Sequence, residues 1–150
     1  MGLFDSFRKG GVQQRNQVAI GPAEGFAAIM IIVISSDGHV AEEEISLLNA
    51  TFSRMQLFRS YPQDMITRMI GNLCNILRRD GVDVLFGAAI ATLPHELYET
   101  TFAMATDLVL ADGHISQEEE GLLLSLCRAL YLPEKLVTKV VEVMLIKNRG

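Results

Sequence analysis

The residues best suited to chemistry lie in two short segments of the same pattern. Asp37-Gly38-His39-Val40 runs into Glu42, Glu43 and Glu44, and Asp112-Gly113-His114-Ile115 runs into Glu118, Glu119 and Glu120. The steps from Gly38 to Glu44 and from Gly113 to Glu119 match the back half of a calcium-binding EF-hand loop. In that loop the glycine makes the sharp turn and the final glutamate supplies two oxygens. The front half is absent. Where the first and third ligands would stand, the chain has Val33 and Ser35 in one segment and Leu108 and Leu110 in the other, and leucine cannot ligate a hard cation. A complete EF-hand is excluded. What remains is a helix ending at an aspartate, a glycine able to take positive φ, an apolar residue packing inward, and a glutamate in the first turn of the next helix.

That arrangement brings Asp37 toward Glu44 and Asp112 toward Glu119, with the carbonyls of His39 and His114 facing the same space. Two carboxylates, a carbonyl and water suit a weak Ca²⁺ or Mg²⁺ site. Each glutamate run leaves the register open by one, so Glu43 and Glu118 join the candidate ligands. The imidazoles of His39 and His114 would make Zn²⁺ the second choice. The candidate metal residues are therefore Asp37, His39, Glu43, Glu44, Asp112, His114, Glu118 and Glu119. The same pattern also reads as ordinary capping, because carboxylates are stabilised at the positive end of a helix dipole. Catalytic signals are lacking. There is no Gly-rich phosphate loop, no GxSxG elbow and no cysteine with a suitable histidine partner. His95-Glu96-Leu97-Tyr98-Glu99 begins like a zinc-protease HExxH but ends in glutamate, so it reads as a helix start.

Composition narrows the remaining classes. With 150 residues, 49% hydrophobic, 21% charged and a net charge of −5, the chain is of single-domain size and can bury a core without disulfides or a structural metal. Acidic balance excludes a nucleic-acid binder, whose phosphate affinity needs clustered Lys and Arg. The longest apolar run, Phe26 to Ile34, is far short of the roughly 20 residues a bilayer requires. Arg8 and Lys9 are followed by Gly10, Gly11, Gln13 and Gln14 rather than by the apolar stretch of a secretory signal. Cys74 and Cys127 form no CxxC and sit in apolar surroundings, which predicts buried, reduced thiols in a cytoplasmic protein. Charge is segregated: Arg8, Lys9 and Arg15 outweigh Asp5 at the start, and Lys135, Lys139, Lys147 and Arg149 outweigh Glu142 at the end. The residues between are strongly acidic, so whatever docks there is expected to be cationic.

The elements that must position these loops read as helices throughout. Apolar residues recur at helical spacing in 23–36, 42–58, 62–78, 82–92, 95–110, 117–130 and 133–147, and no stretch alternates with period two. Shifting the sequence by 75 positions lays the first Asp-Gly segment on the second, and Leu47-Leu48 on Leu122-Leu123. A shift of 71 lays Pro62 to Ile70 on Pro133 to Val141. The predicted fold is all-α, a bundle of about seven helices built from a duplicated three-helix unit with pseudo-twofold symmetry. The first repeat covers about 23–75, an insert about 76–93, and the second repeat about 94–147, all in one domain spanning 23–150. Pro62 and Pro133 are expected at first-helical positions. Ser116 with Glu119 forms a capping box that Ala41 with Glu44 cannot complete. Segments 26–34 and 102–110, apolar nearly all round, are expected to lie centrally. Met65, Met69 and Met104 read as core filler. Residues 1–22 form a flexible or amphipathic leader in which Leu3, Phe4 and Phe7, beside Arg8 and Lys9, could touch an anionic membrane surface; the alternative is a loose or packed tail.

The segments Ser36-Asp37-Gly38-His39-Val40 with Glu43-Glu44, and Ala111-Asp112-Gly113-His114-Ile115 with Glu118-Glu119, resemble the paired signature of the TerB family of tellurite-resistance proteins. The leader Gly2-Leu3-Phe4-Asp5-Ser6-Phe7-Arg8-Lys9-Gly10 is similar to the aromatic and basic start of some members. The resemblance implies a helical cytoplasmic domain with acidic, divalent-metal-binding loops, at the inner face of the membrane. It further implies a role in tellurite resistance or chemical stress, with a membrane-embedded Ter-type protein as partner. Asp37 and Asp112 carry over as the family's acidic loop positions. Histidine after the glycine departs from the family pattern and leaves the choice of metal open. The leading reading is a non-enzymatic, metal-binding stress-response domain. The runner-up is a metal-free interaction module whose acidic loops dock basic segments, and the oligomeric state is open under either.

Overall fold

A helix forms within each segment that the apolar periodicity marks in the computed structural model, which describes residues 19–35, 40–111 and 113–149. Among these residues there are seven α-helices and no strand. They are α1 (Pro22–Ile34), α2 (Glu42–Ser53), α3 (Gln63–Asp80), α4 (Val82–Thr92), α5 (Tyr98–Leu110), α6 (Gln117–Ala129) and α7 (Glu134–Lys147). Short 3₁₀ turns, Gln56–Phe58 and His95–Leu97, precede α3 and α5. The helices fall into two compact units that divide after Leu93. The leader contacts expected at residues 3–9 lie outside the described residues.

In the first unit α1 is the central element. Nine consecutive residues, Gly25 to Val33, are buried, a run that only a helix enclosed on all sides can hide. It packs on α2, α3 and α4. The start is set by Pro22 at the first helical position and by Glu24, whose Oε1 accepts from the Gly21 N–H at 2.7 Å. Phe26, Phe52 and Phe58 form an aromatic cluster beside it: Phe52 and Phe58 stack at 4.8 Å and Phe26 meets Phe52 edge-on at 6.0 Å. The strongly amphipathic α3 buries Ile66, Met69, Ile70, Leu73 and Leu77 on one face. It reaches α4 through a single residue, Gly81, whose φ of 94° suits glycine alone. On the surface, Asn49, Ser53, Gln63 and Thr67 tie α2 to α3, with Gln63 Nε2 donating to Asn49 Oδ1 at 2.7 Å.

The second unit is built on α5, against which α6 and α7 pack. Its buried positions Thr101, Phe102, Ala105, Thr106, Val109 and Leu110 make one stripe, so the expectation of an all-round buried segment at 102–110 is corrected. Asp107 and Leu108 are only half-buried. The two buried threonines resolve their polarity locally, donating to the carbonyls of Leu97 at 2.6 Å and Phe102 at 2.8 Å. No residue of α7 is fully buried, and Val143, Leu145 and Ile146 are exposed. Its last turn is held by Asp107, whose Oδ1 takes Asn148 Nδ2 at 2.8 Å and Lys147 Nζ at 3.2 Å.

Three smaller expectations are also corrected. Pro62 and Pro133 sit at N-cap positions with extended ψ, one residue earlier than expected. Met65 points to solvent while Met69 is buried, because only the latter lies on the inner stripe of α3. Cys74 and Cys127 are free and half-buried rather than buried, and that partial burial still pushes both thiols above their ordinary pKa. No described helix is long and apolar enough to cross a membrane.

Candidate functional site

Both Asp-Gly segments are connections between consecutive helices, the first joining α1 to α2 and the second joining α5 to α6. Asp37, His39 and Asp112 lie outside the described residues; Glu43, Glu44, His114, Glu118 and Glu119 lie within them. In the second loop Gly113 adopts φ 81°, the conformation expected of the turn-forming glycine, and its N–H reaches the Leu110 carbonyl at 3.0 Å. His114 follows on the surface. Ile115 was expected to pack inward but is 44% exposed, so this position does not anchor the loop to the core.

The glutamates divide by task. Glu119 Oε1 accepts from the Ser116 N–H at 2.9 Å, while Ser116 Oγ accepts from the Glu119 N–H at 3.1 Å. This is the complete reciprocal cap that the sequence predicts. In the first loop Glu44 Oε1 accepts from the Ala41 N–H at 2.7 Å, but alanine returns nothing. Glu43 and Glu118 remain exposed in the first turns, where the helix dipole favours negative charge. One carboxylate per loop is thus oriented by backbone and its neighbours stand free of the core. Among the described residues no three His, Cys, Asp or Glu side chains gather into a metal-sized cluster.

The cap difference gives a direct expectation. Ser116→Ala should lower the unfolding free energy by about 1 kcal/mol, and Ala41→Ser should raise it by a comparable or smaller amount, because it completes the first box. Urea unfolding of the two variants checks both signs.

A second feature escapes sequence reasoning altogether. Tyr131 is the one non-glycine residue with positive φ, 53°, among the described residues. It stands at the end of α6, where the Leu132 N–H returns to the Cys127 carbonyl at 3.1 Å and the Tyr131 N–H to the Arg128 carbonyl at 3.2 Å. This is a Schellman ending, a place usually taken by glycine. A left-handed backbone costs an L-residue roughly 1–2 kcal/mol. Tyr131 recovers none of that by burial, since it is 89% exposed. It borders a cleft of about 390 Å³ together with His95, Glu96, Tyr98, Glu99 and Pro133. His95, expected only as part of a helix start, stacks on Tyr98 with ring centres 4.5 Å apart. The sequence announces the end of α6 through Pro133, but nothing in it marks the conformation of Tyr131.

Comparison with known proteins places most of the helical region in one family. The model of the family described as tellurite resistance protein TerB matches residues 23–140. No curated protein and no solved structure is significantly similar to the chain.

Proposed function

Since the chain belongs to the TerB family of tellurite resistance proteins, we propose that it is a non-enzymatic, divalent-metal-binding domain of the tellurite or chemical-stress response that acts through its two Asp-Gly loops. The observation that carries this reading is Gly113 at φ 81° followed by a backbone-held Glu119 in the first turn of α6. A sharp glycine turn with a fixed carboxylate beyond it is what the back half of a calcium loop uses to present oxygens. Asp112, Glu118 and Glu119 would hold the ion in this loop; Asp37, Glu43 and Glu44 would hold it in the first. Oxygen donors favour Ca²⁺ or Mg²⁺, and recruitment of His39 or His114 would favour Zn²⁺. Reading the chain as two copies of a three-helix unit gives the loops equivalent places, each between the first and second helix of its copy. The setting proposed is the cytoplasmic face of a membrane, beside a membrane-embedded Ter-type partner.

The capping bonds favour a second reading. Glu44 and Glu119 each commit one oxygen to a backbone N–H, as a metal-free helix start requires. The acidic first turns would then be a docking face for basic partner segments.

A thermal melt separates the two. The full chain is melted in EDTA and then with Ca²⁺, Mg²⁺, Mn²⁺ or Zn²⁺, alongside the double variant Asp37→Asn/Asp112→Asn. An ion at a hundred times its Kd adds about 2.7 kcal/mol, which should raise the midpoint by on the order of 5 °C. The metal reading expects this rise with one class of ion and its loss in the double variant. No rise with any ion, or the same rise in the double variant, overturns it and leaves the docking face.

A further inference from the structure

We propose that the cleft beside Tyr131 is a recognition site for an arginine side chain carried by a partner peptide. At a helix ending where glycine would be cheaper, the chain holds a tyrosine with φ 53° that is 89% exposed. Neither folding nor packing accounts for that choice, so the phenol ring is a presented group. What it is presented beside defines the ligand. His95 and Tyr98 stack face to face at 4.5 Å, with Tyr98 half-buried and therefore held in orientation. Glu96 and Glu99 bring two carboxylates to the same cleft, and among the described residues no lysine or arginine lines it. Aromatic faces attract a cation through the ring quadrupole, and Arg is the cation that most often lies against them. Its planar guanidinium can stack on a ring and donate in the plane to a carboxylate at once, which an ammonium group cannot do. A cleft of about 390 Å³, open to solvent, accommodates one such side chain with the peptide running across its mouth.

The test uses the full chain labelled with ¹⁵N and the peptide acetyl-Gly-Gly-Arg-Gly-Gly-amide, with its citrulline counterpart as an uncharged isostere. The arginine peptide is expected to shift the amides of residues 95–99 and 130–133 in a saturable manner, and the citrulline peptide to bind about tenfold more weakly or not at all. Tyr131→Gly should lose binding by about tenfold while its thermal midpoint stays equal to or above that of the wild type, because glycine accepts the left-handed backbone. Tyr131→Phe, which keeps the ring face, should bind as the wild type does. The proposal is overturned by an absence of shifts, by equal response to the citrulline peptide, by unchanged binding in Tyr131→Gly, or by a lowered midpoint in that variant.

Discussion

Phe26→Ala is expected to remove about 3–5 kcal/mol of unfolding free energy, the range seen when a fully buried phenylalanine is truncated and its site cannot collapse. Phe26 is 0% exposed and lies on α1, the helix buried from Gly25 to Val33. Its ring meets Phe52 of α2 at 6.0 Å and Phe58 of the following turn at 6.3 Å. Removal therefore forfeits burial and two aromatic contacts at once. A domain of ordinary stability holds about 5–15 kcal/mol, so the variant should be partly unfolded near its growth temperature or close to that limit. Urea unfolding measures the loss directly. A change below about 1.5 kcal/mol would mean that neighbours refill the space, contrary to the close packing of the cluster. The consequence reaches the candidate site, because α1 and α2 are the two helices that the first Asp-Gly segment joins.

The second large effect is steric. A Cβ added at Gly25 would stand 2.6 Å from the Thr92 Cγ2 atom and 3.1 Å from the Ala89 carbonyl oxygen. Here α1 and α4 approach so closely that the backbone of one fills the space a side chain would take on the other. The Thr92 methyl can turn aside, but the carbonyl of α4 cannot. Gly25→Val is expected to lose about 1–3 kcal/mol or more through forced separation of the helices. Gly25→Ala should lose less, since alanine recovers about 1 kcal/mol of helix propensity over glycine. Combined with Thr92→Ser, which deletes the nearer atom, Gly25→Ala should regain part of its loss. The non-additivity of the pair, read from a double-mutant cycle, checks the contact; strict additivity would place the two residues apart.

Much of this architecture is legible in the sequence, and the places where it is not have identifiable causes. Helical periodicity finds each of the seven helices among the described residues because apolar residues recur along one side of each, and all but α7 bury such residues fully. It runs too far at 42–58, where α2 stops at Ser53 and Phe58 falls in a 3₁₀ turn. Residues six apart stand about 120° from each other around an ideal helix, so Phe52 and Phe58 could not stack had the helix continued. The break lets both enter the core, and no Gly or Pro announces it. At α5 the apolar count hides the burial of Thr101 and Thr106, whose hydroxyls bond to the carbonyls four residues before them. In the loops, the glycine turn and the Ser116–Glu119 box follow from residue type and spacing, since both are local. The exposure of Ile115 does not, because it depends on what lies across from the loop. Tyr131 is invisible for the opposite reason: the local rule calls for glycine, and the chain disobeys it.

The contrast between α1 and α7 grades the molecule by how readily its parts open. Exposing α1 means uncovering nine buried residues and the aromatic cluster, so opening this helix is costly. The last helix has no fully buried residue, and the polar attachment of its final turn converges on the single carboxylate of Asp107. Partial opening free energies in proteins run from near zero up to the global value, and segments with little buried apolar surface occupy the lower end. In the second unit α7 is therefore expected to open at a lower free energy than α5, which buries six residues.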